Sequence, residues 1–158
     1  MHRRYIQTND KFVRLYHCQI CAKNVTPKAT VCLVHGFSEH MEYHFETAIQ
    51  FALNGYDCHL IDLRGHGYST GPRCLNTIIN YQSDLQALLQ QVRKDKPLFI
   101  YAHSMGSMVT VSFLQKNPHL NIAGVILNGP FLELHPTRQD QLPPHKKRIL
   151  RLMAPNAN

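Results

Sequence analysis

The stretch Phe99-Ile100-Tyr101-Ala102-His103-Ser104-Met105-Gly106-Ser107-Met108-Val109 decides how the chain can fold. Its first half is a short apolar run that predicts a buried strand, and its second half has the apolar spacing of a helix. Ala102 and Gly106 are small residues two positions before and after Ser104, so the strand and the helix can pass closely. This pattern is typical of a nucleophile elbow, a strained turn that exposes a serine hydroxyl. An ordinary turn would explain residues 102–106 equally well. The two interpretations can be distinguished only by other parts of the chain.

Strand and helix patterns alternate on both sides of this turn. Two early segments alternate apolar and polar residues around Asn9-Asp10, which predicts an antiparallel hairpin at a sheet edge. Continuous apolar runs farther along predict strands that are buried on both faces, and Asn76 is a predicted N-cap for the helix before the elbow. In chain order we predict strands over 3–8, 11–18, 30–34 and 56–61, the elbow strand, and a strand over 122–127, with helices over 43–53, 76–92 and after Ser104. Such alternation predicts a mostly parallel sheet covered by helices.

Four irregular turns follow the predicted parallel strands. They are His35-Gly36-Phe37, the glycine-rich loop that begins at Asp62, the turn at Ser104, and Asn128-Gly129-Pro130. In open parallel sheets, functional sites form beyond the carboxyl ends of the strands. We therefore expect these four turns to converge on one crevice.

Composition and charge exclude several classes of protein. The chain has 158 residues, 44% of them hydrophobic, which is enough for one globular domain. Of the net charge of +7, most is carried by the C-terminal tail, and the body shows no basic face interleaved with aromatic residues. A nucleic-acid partner is therefore not expected. Because no apolar stretch is long enough to span a bilayer and no signal peptide is recognisable, we expect a soluble, cytoplasmic protein.

The five cysteines are odd in number and scattered, which argues against a disulfide framework and favours a reducing compartment. Cys18 and Cys21 have the spacing of half a zinc site, but no second pair follows them. We interpret them as strand or loop thiols and predict no metal site.

Four segments together resemble the α/β-hydrolase superfamily, in particular its monoacylglycerol lipase and lysophospholipase-like branch, which is grouped with serine aminopeptidase-like hydrolases. The matching segments, in family order and spacing, are VHGFSEHMEYH (34–44), DLRGHGYSTGPR (62–73), AHSMGSM (102–108) and GVILNGP (124–130). The resemblance implies an α/β fold in which an antiparallel hairpin leads into a mostly parallel sheet with helices on both faces. It makes residues 1–135 the N-terminal part of the core and residues 136–158 the start of a cap in which the chain is truncated.

The resemblance also implies a role for each matching residue. Ser104 would be the nucleophile of a serine esterase that hydrolyses carboxylic esters of lipids through an acyl-serine intermediate, without a metal or other cofactor. The backbone N–H groups of Phe37 and Met105 would form the oxyanion hole. His35, Gly36 and Gly106 would support the two loops that carry these groups.

One departure from the family pattern decides what the chain alone can do. In the family, the triad acid and histidine follow roughly a hundred or more residues after the nucleophile, and only 54 residues follow Ser104 here. His103 is expected to pack away from the hydroxyl, and Asp62 to cap the glycine-rich loop. Four residues nearer the C-terminus are weak substitutes for the triad: Glu133, His135, Asp140 and His145. We therefore predict an N-terminal half that is inactive, or nearly so, by itself.

Two further expectations concern partners. The last predicted strand would be an apolar, unpaired sheet edge through which chains could associate. Residues 145–153 predict a short basic amphipathic helix, which could lie on an anionic membrane surface or, as we favour, form the first helix of a cap. These features support the main alternative to a lipid esterase, a catalytically inactive remnant that binds lipid or a protein partner. A third hypothesis, an epoxide-opening or haloperoxidase relative, is weaker because Ser104 suits acyl transfer.

Overall fold

The computed structural model describes residues 1–23, 25–73 and 76–131, and within them a six-stranded sheet carries three α-helices. The strands are β1 (His2–Gln7), β2 (Arg14–Ile20), β3 (Ala29–Val34), β4 (Tyr56–Ile61), β5 (Leu98–His103) and β6 (Gly124–Asn128). The helices are α1 (Phe45–Leu53), α2 (Ile78–Leu89) and α3 (Met105–Lys116), with a short 3₁₀ helix (Met41–His44) before α1.

The sheet is mixed, in the order β1-β2-β4-β3-β5-β6. β1 and β2 form an antiparallel hairpin, and β2 pairs antiparallel with β4. β4, β3, β5 and β6 are parallel neighbours. The fold predicted from the alternating pattern, a hairpin that leads into a mostly parallel sheet, is confirmed.

The register brings the ends of the parallel strands to one edge. Val34 lies opposite both Ile61 and Ala102, and His103 lies opposite Asn128. The residues that follow these strands therefore leave the sheet side by side, which is how the four irregular turns come together.

Two separate apolar cores cover the two faces of the sheet. The larger core packs α2 and α3 against strand residues such as Cys32, Val34 and Ile100. The smaller core packs α1 against the alternate residues, including Val31 and Leu33. Because successive strand residues point to opposite faces, the continuous apolar runs are what a sheet covered on both sides requires.

The N-cap of helix α2 lies one residue later than predicted. Thr77, not Asn76, is its N-cap, and the Thr77 hydroxyl accepts a hydrogen bond from the backbone N–H of Asn80 at 3.3 Å. The Asn76 side-chain amide instead donates to the Pro72 carbonyl at 2.7 Å, which closes the preceding loop. Both residue types are good N-caps. Thr77 takes this position because the Asn76 side chain is used as the hydrogen-bond donor that closes the loop.

Strand β6 is the outermost strand on its side of the described sheet, and its apolar side chains are exposed. Val125, Ile126 and Leu127 retain 38%, 45% and 37% of their accessible surface. The predicted basic helix at 145–153 and the residues weighed as triad substitutes lie outside the described part of the chain. None of the described helices is long and apolar enough to cross a membrane.

Candidate active site

Ser104 is the junction between β5 and α3, and its backbone has φ 48° and ψ −116°. A residue with a β-carbon pays about 1–3 kcal/mol for such a conformation unless its surroundings enforce it. Here the Ser104 amide donates to the Asn128 carbonyl at 3.0 Å, and the Ser104 carbonyl accepts from the amides of Ser107 and Phe131 at 3.0 and 3.2 Å. The strained turn is therefore held at both ends, by β6 and by the first turn of α3.

Two glycines allow the surrounding backbones to approach this turn. A β-carbon at Gly106 would lie 2.6 Å from the Val34 carbonyl oxygen, a distance that real β-carbons do not reach. A β-carbon at Gly36 would lie 3.0 Å from the β-carbon of Ser104. The loop after β3 and the turn after β5 are thus in direct contact, as the glycine positions predict.

The backbone amides of Phe37 and Met105 leave hydrogen-bonding capacity unused. Within the described ranges, neither the Phe37 N–H nor the Met105 N–H donates a hydrogen bond. Met105 is the first residue of α3, where the helix dipole favours negative charge. No described residue hydrogen-bonds the Ser104 hydroxyl either, so this part of the chain places no base against it.

His35 is fully engaged in holding the loop after β3. Its Nδ1 donates to the Gly36 carbonyl at 2.7 Å, and its Nε2 accepts from the Leu63 amide at 2.9 Å. Burial lowers the pKa of His35 to about 3, so the ring stays neutral and offers the one donor and one acceptor that these bonds need. His35 thus joins the loops that follow β3 and β4 and has no free nitrogen for catalysis.

Glu39 connects the same loop to the Ser104 turn, a role that we did not predict. Its Oε2 accepts from the Gly36 amide at 2.8 Å and contacts His103 Nδ1 at 2.9 Å and His44 Nε2 at 3.3 Å. Burial raises the pKa of Glu39, but the hydrogen bonds from Gly36 and His103 outweigh it and bring the pKa below its usual value. His103, expected only to pack, instead holds this carboxylate.

The chain is similar in sequence to a known family of hydrolases. A profile of the family described as serine aminopeptidase, S33, matches residues 25–158. The chain belongs to this family. A monoglyceride lipase of Saccharomyces cerevisiae is 32% identical over 117 residues, which are 69% of this chain and 37% of that protein. Phospholipase YtpA of Bacillus subtilis is 29% identical over 110 residues, 68% of this chain and 42% of that protein.

Solved structures give the same fold. A soluble variant of the Saccharomyces cerevisiae monoglyceride lipase, in complex with a substrate analog, superposes with a TM-score of 0.78 at 25% identity. The match covers 98% of this chain and 51% of that one. The chain thus has the α/β-hydrolase fold and spans about half the length, or less, of the relatives that it matches.

Asp62 organises the glycine-rich loop of this hydrolase-family chain. Its Oδ1 accepts from the Met41 amide at 2.7 Å and its Oδ2 accepts from the Tyr68 amide at 2.8 Å. A β-carbon at Gly67, where φ is 47°, would collide with this carboxylate. Burial raises the pKa of Asp62, although both amide hydrogen bonds oppose the rise. Asp62 thus closes the loop, and both oxygens are occupied.

A buried ion pair fixes the same loop to α2, and we did not predict it. Asp84 accepts from the Arg64 amide at 2.9 Å and from Arg64 Nε at 2.8 Å. Both side chains are almost completely buried. The sequence contained a signal for a buried charge: Asp84 lies three residues after Tyr81 and four before Leu88, on the apolar stripe of the helix.

Proposed function

We propose that Ser104 is the nucleophile of a serine hydrolase that cleaves carboxylic esters of lipids, of the monoacylglycerol lipase and lysophospholipase type, through an acyl-serine intermediate. The observation that carries the proposal is the strained Ser104 turn, packed against Gly36 and followed by the amide of Met105. The names of two relatives, a monoglyceride lipase and a phospholipase, support the choice of lipid esters.

The proposed reaction is acyl transfer to the serine oxygen. The Ser104 hydroxyl attacks the ester carbonyl, the alcohol leaves, and water then releases the fatty acid. The amides of Phe37 and Met105 donate to the oxyanion of each tetrahedral intermediate. In measured hydrolases the removal of one such donor costs roughly 3 to 4 kcal/mol of transition-state stabilisation.

The acid and the base of the triad are the parts that the described residues do not supply. His35 and Asp62 are occupied by backbone amides and a carbonyl, and His103 is bonded to Glu39. A serine without its base loses several powers of ten in kcat. We therefore propose that this chain alone reacts slowly and that efficient turnover needs a histidine and a carboxylate from the part of the fold that its longer relatives have in addition.

The proposal is tested by labelling with an alkyl fluorophosphonate, a probe that phosphonylates activated serines. The chain is prepared alone and joined to the C-terminal half of a relative, and the labelled peptide is identified by mass spectrometry. We expect labelling at Ser104, slow in the chain alone and faster in the joined protein. Ser104→Ala should abolish it, whereas Ser112→Ala, two turns along α3, should not.

A catalytically inactive remnant is the second candidate, favoured by the lack of any described hydrogen-bond partner for the Ser104 hydroxyl. If the joined protein folds and Ser104 still takes no label, the esterase proposal is wrong. Sedimentation with anionic liposomes, lost when Lys146, Lys147 and Arg148 are changed to Glu, would then support lipid binding by the tail.

A further inference from the structure

Three side chains that commonly bind metal ions meet beside the Ser104 turn. They are Glu39 from the loop after β3, His44 from the end of the 3₁₀ helix, and His103 from the end of β5. One ligand atom from each lies within 4.8 Å of the other two. We propose that these residues form a binding site for Zn²⁺.

The distances suit a zinc ion with little rearrangement. In zinc sites the metal lies about 2.0–2.2 Å from nitrogen and carboxylate oxygen, so tetrahedral ligand atoms are separated by roughly 3.3 Å. Glu39 Oε2 is already 3.3 Å from His44 Nε2 and 2.9 Å from His103 Nδ1. Small side-chain rotations would open the space between these atoms for the ion.

The donor set also fits zinc. Two imidazoles and one carboxylate, with a fourth position open, are a common ligand set of protein zinc sites. Each imidazole can direct a lone pair at the ion by carrying its proton on the other ring nitrogen. The Glu39 carboxylate supplies the negative charge, and its hydrogen bond from the Gly36 amide at 2.8 Å orients it as a supporting contact would.

The cluster is reachable from solvent. The side chains of Glu39 and His103 keep 23% and 28% of their accessible surface, whereas His44 is more deeply placed at 10%. An ion can therefore enter on the side of Glu39 and His103 and contact His44 last.

The proposed metal site lies next to the Ser104 turn. The point where a β-carbon of Gly36 would lie is 3.1 Å from both Glu39 Oε2 and His103 Nδ1, and 3.0 Å from the Ser104 β-carbon. A bound ion would thus tie the loop after β3 to the turn that carries Ser104. Because the three ligands come together only in the folded chain, the ion should raise the midpoint of thermal unfolding as its concentration increases.

The test is a titration of the complete 158-residue chain with Co²⁺, followed by competition with Zn²⁺. Four-coordinate Co²⁺ absorbs visible light far more strongly, and at longer wavelength, than six-coordinate Co²⁺ in water, so the spectrum reports coordination rather than activity. We expect this spectrum in the wild type and its displacement by Zn²⁺. Glu39→Gln and His44→Phe should each weaken the binding at least tenfold.

Matched variants separate ligation from folding. His40→Gln changes a neighbouring histidine outside the cluster and should leave the affinity unchanged, as should Ser104→Ala. His44→Cys should restore binding and add a sulfur-to-cobalt charge-transfer band, which a purely structural role for His44 does not predict. Circular dichroism without metal checks that each variant is folded.

Two results would overturn the proposal. One is the absence of a four-coordinate cobalt spectrum in the folded wild type. The other is equal affinity in the wild type and in folded His44→Phe and Glu39→Gln, which would place the ion elsewhere. Because Ser104 is not a ligand, neither result depends on whether the chain is an esterase.

Discussion

At the scale of single residues, Ser104 has the most unusual backbone of the site. Its φ of 48° and ψ of −116° match the first central residue of a type II′ turn, a position that glycine prefers. The serine is held there by hydrogen bonds to Asn128, Ser107 and Phe131. The surrounding structure therefore supplies the energy that keeps its side chain in place.

We predict that Ser104→Gly is more stable than Ser104→Ala by about 1 kcal/mol, because glycine removes the strain and alanine keeps it. Urea unfolding of both variants measures the difference. The same pair of substitutions at Gln86, an exposed position inside α2, should give the opposite order, since alanine is the better helix former. Equal stability of the two Ser104 variants would show that the turn stores no strain.

The residue pattern predicted the position of Ser104 but not its surroundings. Strand, small residues and helix can be recognised from local sequence, and so can the glycine that lets the loop after β3 approach. Glu39 could not be chosen in the same way, because its contact with His103 spans 64 residues and depends on the path of the loop. The roles of Phe37 and Met105 as oxyanion donors remain predictions.

At the scale of elements, the pair of Arg64 and Asp84 connects α2 to the loop after β4. Arg64 contacts the carboxylate through its amide and its guanidinium group. Burial raises the pKa of Asp84 to about 6, and the contacts with Arg64 oppose the rise. Without Arg64, Asp84 would be a buried charge without compensation, and without Asp84, Arg64 would keep only the half-exposed carboxylate of Asp10, 3.9 Å from its Nη1.

We predict that Asp84→Asn destabilises the chain by about 3–5 kcal/mol, because Arg64 remains buried with only the longer contact to Asp10 as a counterion. The free energy of unfolding in urea measures this. The control is Asp95→Asn, which breaks the exposed pair of Arg93 and Asp95 and should cost less than about 1 kcal/mol. Similar small losses in both variants would contradict the structural role given to the buried pair.

At the scale of the whole molecule, two buried histidines on the sheet contact each other. His17 Nε2 lies 3.0 Å from His59 Nδ1, on neighbouring antiparallel strands. Burial, together with the nearby His59, lowers the pKa of His17 to about 4. Burial also lowers the pKa of His59 to about 4, although Asp57 opposes the shift.

We predict that the folded state loses stability as the pH falls from about 6.5 to about 4. In this range the unfolded chain binds protons at both histidines and the folded chain does not, so each costs roughly 1 kcal/mol per pH unit. The double variant His17→Leu/His59→Leu should show a shallower decline in unfolding free energy with falling pH. His119→Gln, at an exposed site, should keep the wild-type slope, and an equally steep slope in the double variant would refute the assignment.

Most of the fold was predictable because it follows from short-range patterns. Apolar runs located β3, β4 and β5, and Asn9-Asp10 located the hairpin. The N-cap of α2 was wrong by one residue because the loop before it uses the Asn76 side chain for its own closure. The division into a core at 1–135 and a cap at 136–158 stays a prediction.

The sheet between the two apolar cores also has an energetic consequence. Val31 and Cys32 are neighbours in the chain, yet they belong to different cores and share no packing partners there. Because their side chains share no packing partners, substitutions at such a pair should be coupled more weakly than substitutions at Cys32 and Phe113, which are 81 positions apart in sequence but belong to one core. Side chains in the core around α1 can therefore be substituted during evolution largely independently of those in the core beneath α2 and α3.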